Sequence, residues 1–331
     1  MHKIVFISLF IAAQLAFAEQ EVAVQVIPLA PPLDRADAEI SGLTWCDDKL
    51  ILLPQYPSRL NSAKKSFFYY LEKKQVSDFL DGLNRAPLKA KQILVNQKVL
   101  NKEVTFFDGF EAIACKDDKV WLAIEAVNLL GSYQSFVVPG TINFTETPAI
   151  QIDSSRLVKL ETQSGLRNMG DEAIIIQDDS VIALHEVNDP RLVEQPKARR
   201  IDAQSNALST SPFVNIPYRL TDATALDSNN RFWAINYKYS GDKFSRNSTD
   251  KIAAQYGQGK SHQNYDNVER LVEFELKDTG IELVKRAPLQ LRMTESEGRN
   301  WEGLVRLDNK GFLLATDKHP RTILAFLPSA H

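Results

Sequence analysis

Glu111-Ala112-Ile113-Ala114-Cys115-Lys116-Asp117-Asp118-Lys119-Val120-Trp121-Leu122-Ala123 decides the fold, because four other segments share its plan. They open as Ser41-Gly42-Leu43-Thr44, Glu172-Ala173-Ile174-Ile175, Asp222-Ala223-Thr224-Ala225 and Glu302-Gly303-Leu304-Val305. Each begins with an oxygen-bearing side chain, followed by a small residue and an apolar stretch. Polar turns follow at Asp47-Asp48-Lys49, Gln177-Asp178-Asp179, Ser228-Asn229-Asn230 and Asp308-Asn309-Lys310. Second apolar runs complete the plan at Leu50-Ile51-Leu52-Leu53, Val181-Ile182-Ala183-Leu184, Phe232-Trp233-Ala234-Ile235 and Phe312-Leu313-Leu314-Ala315. The copies align with no gap inside the repeat. Recurrence of this kind marks a repeat architecture.

Each copy reads as strand, tight turn, strand, with Asp, Asn and Lys at the tip as a hairpin requires. Further strand-like runs follow: Phe67 to Leu71 and Gln92 to Val95; Phe136 to Val138 and Leu157 to Leu160; Leu271 to Leu276 and Glu282 to Lys285. Four antiparallel strands per unit, with no helical pattern of equal strength, predict an all-β chain whose units are propeller blades. The copies start 70, 61, 50 and 80 residues apart, and only Ile323 to Leu327 follows the last hairpin. Val22 to Ile27 can supply the missing strand and hide a sheet edge. The expectation is one five-bladed β-propeller closed by the N-terminal strand. A six-bladed propeller, with a degenerate blade between Asp222 and Glu302, is the alternative.

Residues 1–18 have the plan of a signal peptide: Lys3, an apolar run from Ile4 to Leu15, and Ala16-Phe17-Ala18 at the cleavage site. The run is short for a membrane span, and no second one follows. The propeller domain would then be residues 19–331, exported to a periplasm or secreted. A net charge of −3 gives no reason to expect a nucleic-acid partner. Cys46 and Cys115 occupy the first apolar stretch of consecutive repeats. They can be a disulfide, which export permits, or two buried thiols.

In a propeller the first strand of each blade lines the central channel. Ser41, Glu111, Glu172, Asp222 and Glu302 should then form one ring. Facing buried carboxylates repel, and desolvation adds to the cost, so the ring needs a cation or must hold protons. Oxygen ligands favour a hard cation, and the width of the ring favours calcium over magnesium. A water-filled channel with protonated glutamates is the other outcome.

The order Ser, Glu, Glu, Asp, Glu, one per blade, resembles the calcium-activated nucleotidase (apyrase) family. Asn300-Trp301-Glu302-Gly303-Leu304 with Phe312-Leu313-Leu314-Ala315-Thr316-Asp317 is similar to the phytase-like (esterase-like) propeller family. The resemblance implies calcium ligation by the five ring residues and action on a phosphate ester. Asp222 departs from the Ser of the nucleotidase pattern, and the nucleotide-recognising loops have no counterpart here.

Hairpin geometry should return the residue fourteen positions on to the same channel mouth: Gln55, Glu125, Glu186, Asn236 and Thr316, with Asp317 next. Loops at that mouth carry Arg59, Lys64, Lys65; Arg191, Lys197, Arg199, Arg200; Lys238, Lys243, Arg246; Lys318, His319 and Arg321. Arg167, Arg219 and Arg299 stand just before ring residues. Arginine forks suit phosphate oxygens, but charged surface loops and charge balance of the ring account for the same residues. Arg167, Arg299, Glu125 and Glu186 are the candidates for catalysis, and no nucleophile can be named. Gly257-Gln258-Gly259-Lys260-Ser261 lacks the leading Gly and strand of a phosphate loop. His185 should face core or rim, and Trp45, Trp121, Trp233 and Trp301 should pack between blades. The functional expectation is an exported calcium-dependent phosphohydrolase-like protein, acting as a monomer on an anionic small molecule. The alternative is a non-catalytic propeller that binds a protein, glycan or anionic ligand around a structural calcium.

Overall fold

The computed structural model describes residues 21–61, 65–294 and 298–329; the expected signal segment and Lys64 lie outside them. The described chain is almost entirely β. A short strand, β1 (Gln25–Ile27), precedes the first repeat, which forms β2 (Ile40–Cys46), β3 (Lys49–Pro54), β4 (Phe67–Glu72) and β5 (Lys91–Val95). The second repeat forms β6 (Phe106–Lys116), β7 (Lys119–Val127), β8 (Tyr133–Asn143) and β9 (Ala149–Ile152), with β10 (Val158–Leu160) also against β8. The third forms β11 (Asp171–Gln177), β12 (Ser180–His185), β13 (Lys197–Asp202) and β14 (Leu208–Pro212). The fourth forms β15 (Arg219–Ala223), β16 (Arg231–Lys238), β17 (Val268–Lys277) and β18 (Gly280–Leu283), with β19 (Leu289–Gln290) also on β17. The last comprises β20 (Trp301–Leu307), β21 (Gly311–Thr316) and β22 (Leu324–Pro328), and β1 pairs with β22 at its outer edge.

Neighbouring strands within every repeat are antiparallel, joined by tight hairpins at the first two strands of each and by longer connections elsewhere, as between β16 and β17. The opening strands β2, β6, β11, β15 and β20 contact one another in chain order, and β20 contacts β2 again. They surround an axis, which is a propeller-type arrangement. The small residue after each leading residue is explained by this crowding. A Cβ on Gly303 would lie 2.7 Å from Leu43, and one on Gly42 would lie 3.4 Å from the backbone nitrogen of Ile113. Ala112, Ala173 and Ala223 fill the equivalent positions.

The core lies between consecutive repeats. Leu50, Leu52 and Leu71 meet Val305, Leu307 and Leu313, closing the last repeat on the first. Trp121 lies in the cluster between the second and third repeats, and Trp233 and Trp301 in that between the fourth and last. Full burial of one such aliphatic side chain contributes roughly 1.5–3 kcal/mol.

Three details depart from the strand reading. The fourth strand of the second repeat is β9, not the run at Leu157, because β9 takes the edge of β8 and pairs in parallel with β5. Lys73–Leu80 is helical, started by a capping box of Glu72 and Gln75. The connection between β16 and β17 carries short helices at Lys251–Tyr256 and Lys260–Asn264.

Cys46 and Cys115 form a disulfide that joins β2 to β6 across 69 residues of sequence. Changing both cysteines to Ala should cost about 2–4 kcal/mol, through lost restraint on the unfolded chain. Urea unfolding of oxidised wild type against the double variant measures it.

Candidate functional site

The leading residues of the five repeats are β-bulge residues. Pairing passes from Ile40 opposite Pro54 to Gly42 opposite Leu53, and so steps over Ser41. It likewise steps over Glu111 in β6, Glu172 in β11 and Glu302 in β20. In β15 it passes from Leu220 opposite Asn236 to Ala223 opposite Ala234, leaving Thr221 and Asp222 in the irregularity. A bulge bends its strand and re-aims a side chain that regular alternation would turn elsewhere. The same irregularity in five strands, at one level of the axis, is the device that builds the site.

A second tier comes from the far end of each hairpin. The amide nitrogens of Gln55 and Glu186 donate to the carbonyls of Glu39 and Gly170, two residues before the leading residue, and Glu125 stands opposite Gly109. In the last repeat Asp317, not Thr316, takes this place: its nitrogen donates to the Asn300 carbonyl. The reason is a longer turn. Leu307 pairs with Gly311 across three residues, whereas Lys116 pairs with Lys119 across two. The repeats therefore do not align without a gap, and the second tier reads Gln55, Glu125, Glu186, Asn236, Asp317.

Glu111, Glu172 and Glu302 line one cavity of about 550 Å³, together with Gln55, Tyr56, Asn168, Arg219, Tyr237, Tyr239, Asn267, Asn300, Asp317 and His319. Ser41 and Asp222 do not line it. The Ser41 hydroxyl donates to the Phe110 carbonyl at 2.6 Å, which ties β2 to the strand of Glu111. Asp222 accepts from the Ala223 nitrogen at 2.7 Å and the Leu304 nitrogen at 2.6 Å, which ties β15 to the strand of Glu302. These two residues brace the ring between the strands that carry its glutamates. Below them the axis turns apolar, lined by Leu43, Ile113, Ile174 and Val305.

The cavity is strongly acidic. Burial, then repulsion from Glu125, pushes Glu111 well above the usual carboxylate range, against the pull of the Gln55 amide 3.1 Å away. Burial raises Glu172 in the same way, with repulsion from Glu186, Glu302 and Glu111. Glu302 is raised by burial and by Asp317 and Glu111, and the Asn300 amide donates to it at 2.5 Å. Glu125 is pushed up to about 8 by burial and then by Glu186. One carboxylate oxygen each of Glu186, Asp171 and Asp317 is buried without a hydrogen-bond partner. Space is tight as well: a Cβ on Gly170 would lie 2.3 Å from a Glu125 oxygen, and one on Gly109 2.7 Å from a Glu111 oxygen. Among the described residues no three His, Cys, Asp or Glu side chains are gathered closely enough to enclose a metal ion. The cavity's donors still suit a hard cation, because they are all oxygen and mutually repelling, and one oxygen of Asp317 lacks a partner.

The basic mouth expected from the loops forms only in part. Lys197, Arg199 and Arg200 are strand residues of β13, and Arg199 is buried against Asp171 at 2.8 Å. Arg299 turns to the buried Glu269 at 2.7 Å, Lys238 to Asp266 at 2.5 Å and Arg191 to Asp189 at 3.0 Å. Among the described residues Arg219 alone lines the cavity as a guanidinium, bonded to Glu186 and, as a fork at 2.8 and 2.6 Å, to Asp242. Asp242 lies in the segment after β16, and no pattern in the repeat announces it. Arg167 and Arg321 are exposed and make no ion pair among the described residues. Of the catalytic candidates, Arg299 holds Glu269, Arg167 stands outside the cavity lining, and Glu125 and Glu186 are buried without lining it. His185 is fully buried and pushed down to about 3 by burial and by Arg199, which removes it as a base near neutral pH.

No protein-family model and no curated protein matches the chain. Solved structures similar to it include the soluble aldose sugar dehydrogenase from Escherichia coli, at 10% identity and TM-score 0.46, covering 93% of this chain and 100% of that one. The GH43_1 enzyme from Xanthomonas citri complexed with xylose is similar at 12% identity and TM-score 0.48, covering 94% and 91%. The GH43 endo-arabinanase from Bacillus licheniformis is similar at 9% identity and TM-score 0.43, covering 88% and 94%.

Proposed function

We propose that this chain is an exported five-bladed propeller closed by β1, which holds calcium at Glu111, Glu172 and Glu302 and acts on a phosphate ester in the cavity above them. One observation carries the reading: Glu111, Glu172, Glu302 and Asp317 face one cavity whose single guanidinium is already engaged by Glu186 and Asp242. Such a cavity repels an anion unless its carboxyls hold protons or a cation enters. Bound calcium would supply the positive charge that draws in and polarises a phosphate oxygen.

The protein's own part is positional. The Gln55 amide orients Glu111, and the Asn300 amide orients Glu302. Ser41 and Asp222 fix the spacing of the strands that carry them. Glu125, protonated near neutral pH, spares the ring one further negative charge. The disulfide between β2 and β6 supports export, since such bonds persist in oxidising compartments.

A second reading has its own support: Tyr56, Tyr237 and Tyr239 line the same cavity. Tyrosine rings with amide groups around them suit a glycan held without turnover. A panel of phosphate esters, nucleotides and phytate, assayed with calcium and with chelator, separates the two. Calcium-dependent phosphate release supports hydrolysis. Oligosaccharide binding by calorimetry, with no release across the panel, supports the glycan reading.

A further inference from the structure

The turn between β7 and β8 carries two leucines in the open: Leu129 is 82% exposed and Leu130 90%. Pairing places this turn at the mouth of the channel. Beyond Gly109 opposite Glu125, Phe107 faces Ala126 and Phe106 faces Val127, so the two strands run past the carboxylate tiers to a projecting tip. Phe106, 56% exposed, extends the apolar surface along the adjoining strand. The turn is closed rather than loose. The Asn128 nitrogen donates to the Ser132 carbonyl at 2.9 Å, and the Asn128 side-chain oxygen accepts from the nitrogens of Leu130 at 2.9 Å and Ser132 at 3.0 Å. The leucines are therefore held outward by a built turn. Near its base, Arg59 stacks on Tyr56 at 3.5 Å and lies 3.6 Å from Glu39 while its side chain stays 57% exposed, and the exposed Arg167 is close enough for its charge to act on Tyr133.

We propose that this tip is a lipid-surface anchor: Leu129, Leu130 and Phe106 enter the interface of an anionic membrane, and Arg59 and Arg167 meet its head groups. Two features favour lipid over protein. Consecutive leucines that are both open present apolar surface in more than one direction, which suits hydrocarbon better than a shaped pocket. Three side chains offer roughly 300 Å², well below the ~800 Å² per partner of a stable protein interface. The two arginines supply the charge complement that makes such binding depend on anionic lipid. Among the described residues no helix is long and apolar enough to cross a membrane, and the anchor needs none. It would turn the channel mouth toward the lipid.

Sedimentation of the full mature chain with vesicles of phosphatidylcholine, with or without phosphatidylglycerol, tests this. Wild type should sediment with the phosphatidylglycerol vesicles, and Leu129→Asp with Leu130→Asp should lower the bound fraction roughly tenfold with unchanged melting. Arg59→Gln with Arg167→Gln should weaken binding to the anionic vesicles alone. Failure of wild type to sediment with either vesicle overturns the proposal, as does equal sedimentation of the leucine variant. A concentration-dependent dimer abolished by the leucine variant overturns it in favour of a second copy.

Discussion

Glu111→Gln with Glu302→Gln is expected to change the melting temperature in opposite directions according to whether calcium is present. In chelator the variant should melt higher than wild type, because two buried, mutually repelling carboxyls have become neutral. In calcium it should melt lower, because wild type gains about 2.7 kcal/mol when the ion is at a hundred times its dissociation constant and the variant does not. The pH dependence follows with a definite sign. The folded chain raises these carboxyls above their unfolded values, so between the two values it binds more protons than the unfolded chain. Stability then falls as pH rises through that window, by up to about 1.4 kcal/mol per unit of separation for each group. For Glu125 the window runs from the ordinary carboxylate value of 4.5 to about 8. Chelator-treated wild type should therefore lose stability from about pH 5 to pH 8, and calcium should flatten the slope by replacing protons with a cation. Melting curves across that range, with and without chelator, measure both. A variant that melts identically to wild type under every condition would remove the calcium assignment.

The repeat was legible because its chemistry is local. A small residue, an apolar run and a polar turn recur wherever an inner strand must approach its neighbours and fold back; a Cβ is tight at Gly42 and excluded without a shift at Gly303. Glu111, Glu172 and Glu302 could be placed on one cavity for the same reason, since each opens a repeat, but the turn of Ser41 and Asp222 to neighbouring backbone could not be read from spacing. The bulges were not legible, because a bulge is a relation between two strands and leaves no mark in one of them. Asp317 shows the cost: one extra residue in the turn after Leu307 moves it into the tier where equal spacing places Thr316. The cations were misplaced for a further reason. Arg199, Arg219 and Arg299 read as mouth charges, yet each has a buried acidic partner distant in sequence: Asp171, Glu186 with Asp242, and Glu269. These partners stand 23 to 33 residues apart, some across one blade and some between neighbouring repeats, and the spacing of a single hairpin does not encode them.

Arg219→Leu should cost about 3–5 kcal/mol, the scale for stranding buried charges by removal of their partner. The guanidinium is 16% exposed, while the side chains of Glu186 and Asp242 are 1% and 3% exposed, and one Glu186 oxygen already lacks a partner. Burial works against the charge of Arg219, and the two carboxylates more than offset it, so its pKa is raised. Arg219→Lys should recover only part of the loss, because an ammonium cannot reproduce the two-oxygen fork on Asp242 while also bonding Glu186. Arg219→Leu combined with Asp242→Leu should unfold later in urea than Arg219→Leu alone, since one stranded carboxylate has gone. The functional consequence separates this arginine from a purely structural one. Loss of a positive charge beside Glu172 should tighten calcium binding in the folded variant, while the lost charge makes the acidic cavity more repulsive to a phosphate ester. Calorimetric titration of calcium and assay of phosphate release should therefore move in opposite directions. A single substitution that shifts urea unfolding by less than about 0.5 kcal/mol, the ordinary scale of surface changes, would show that Arg219 does not hold the channel to the segment carrying Asp242.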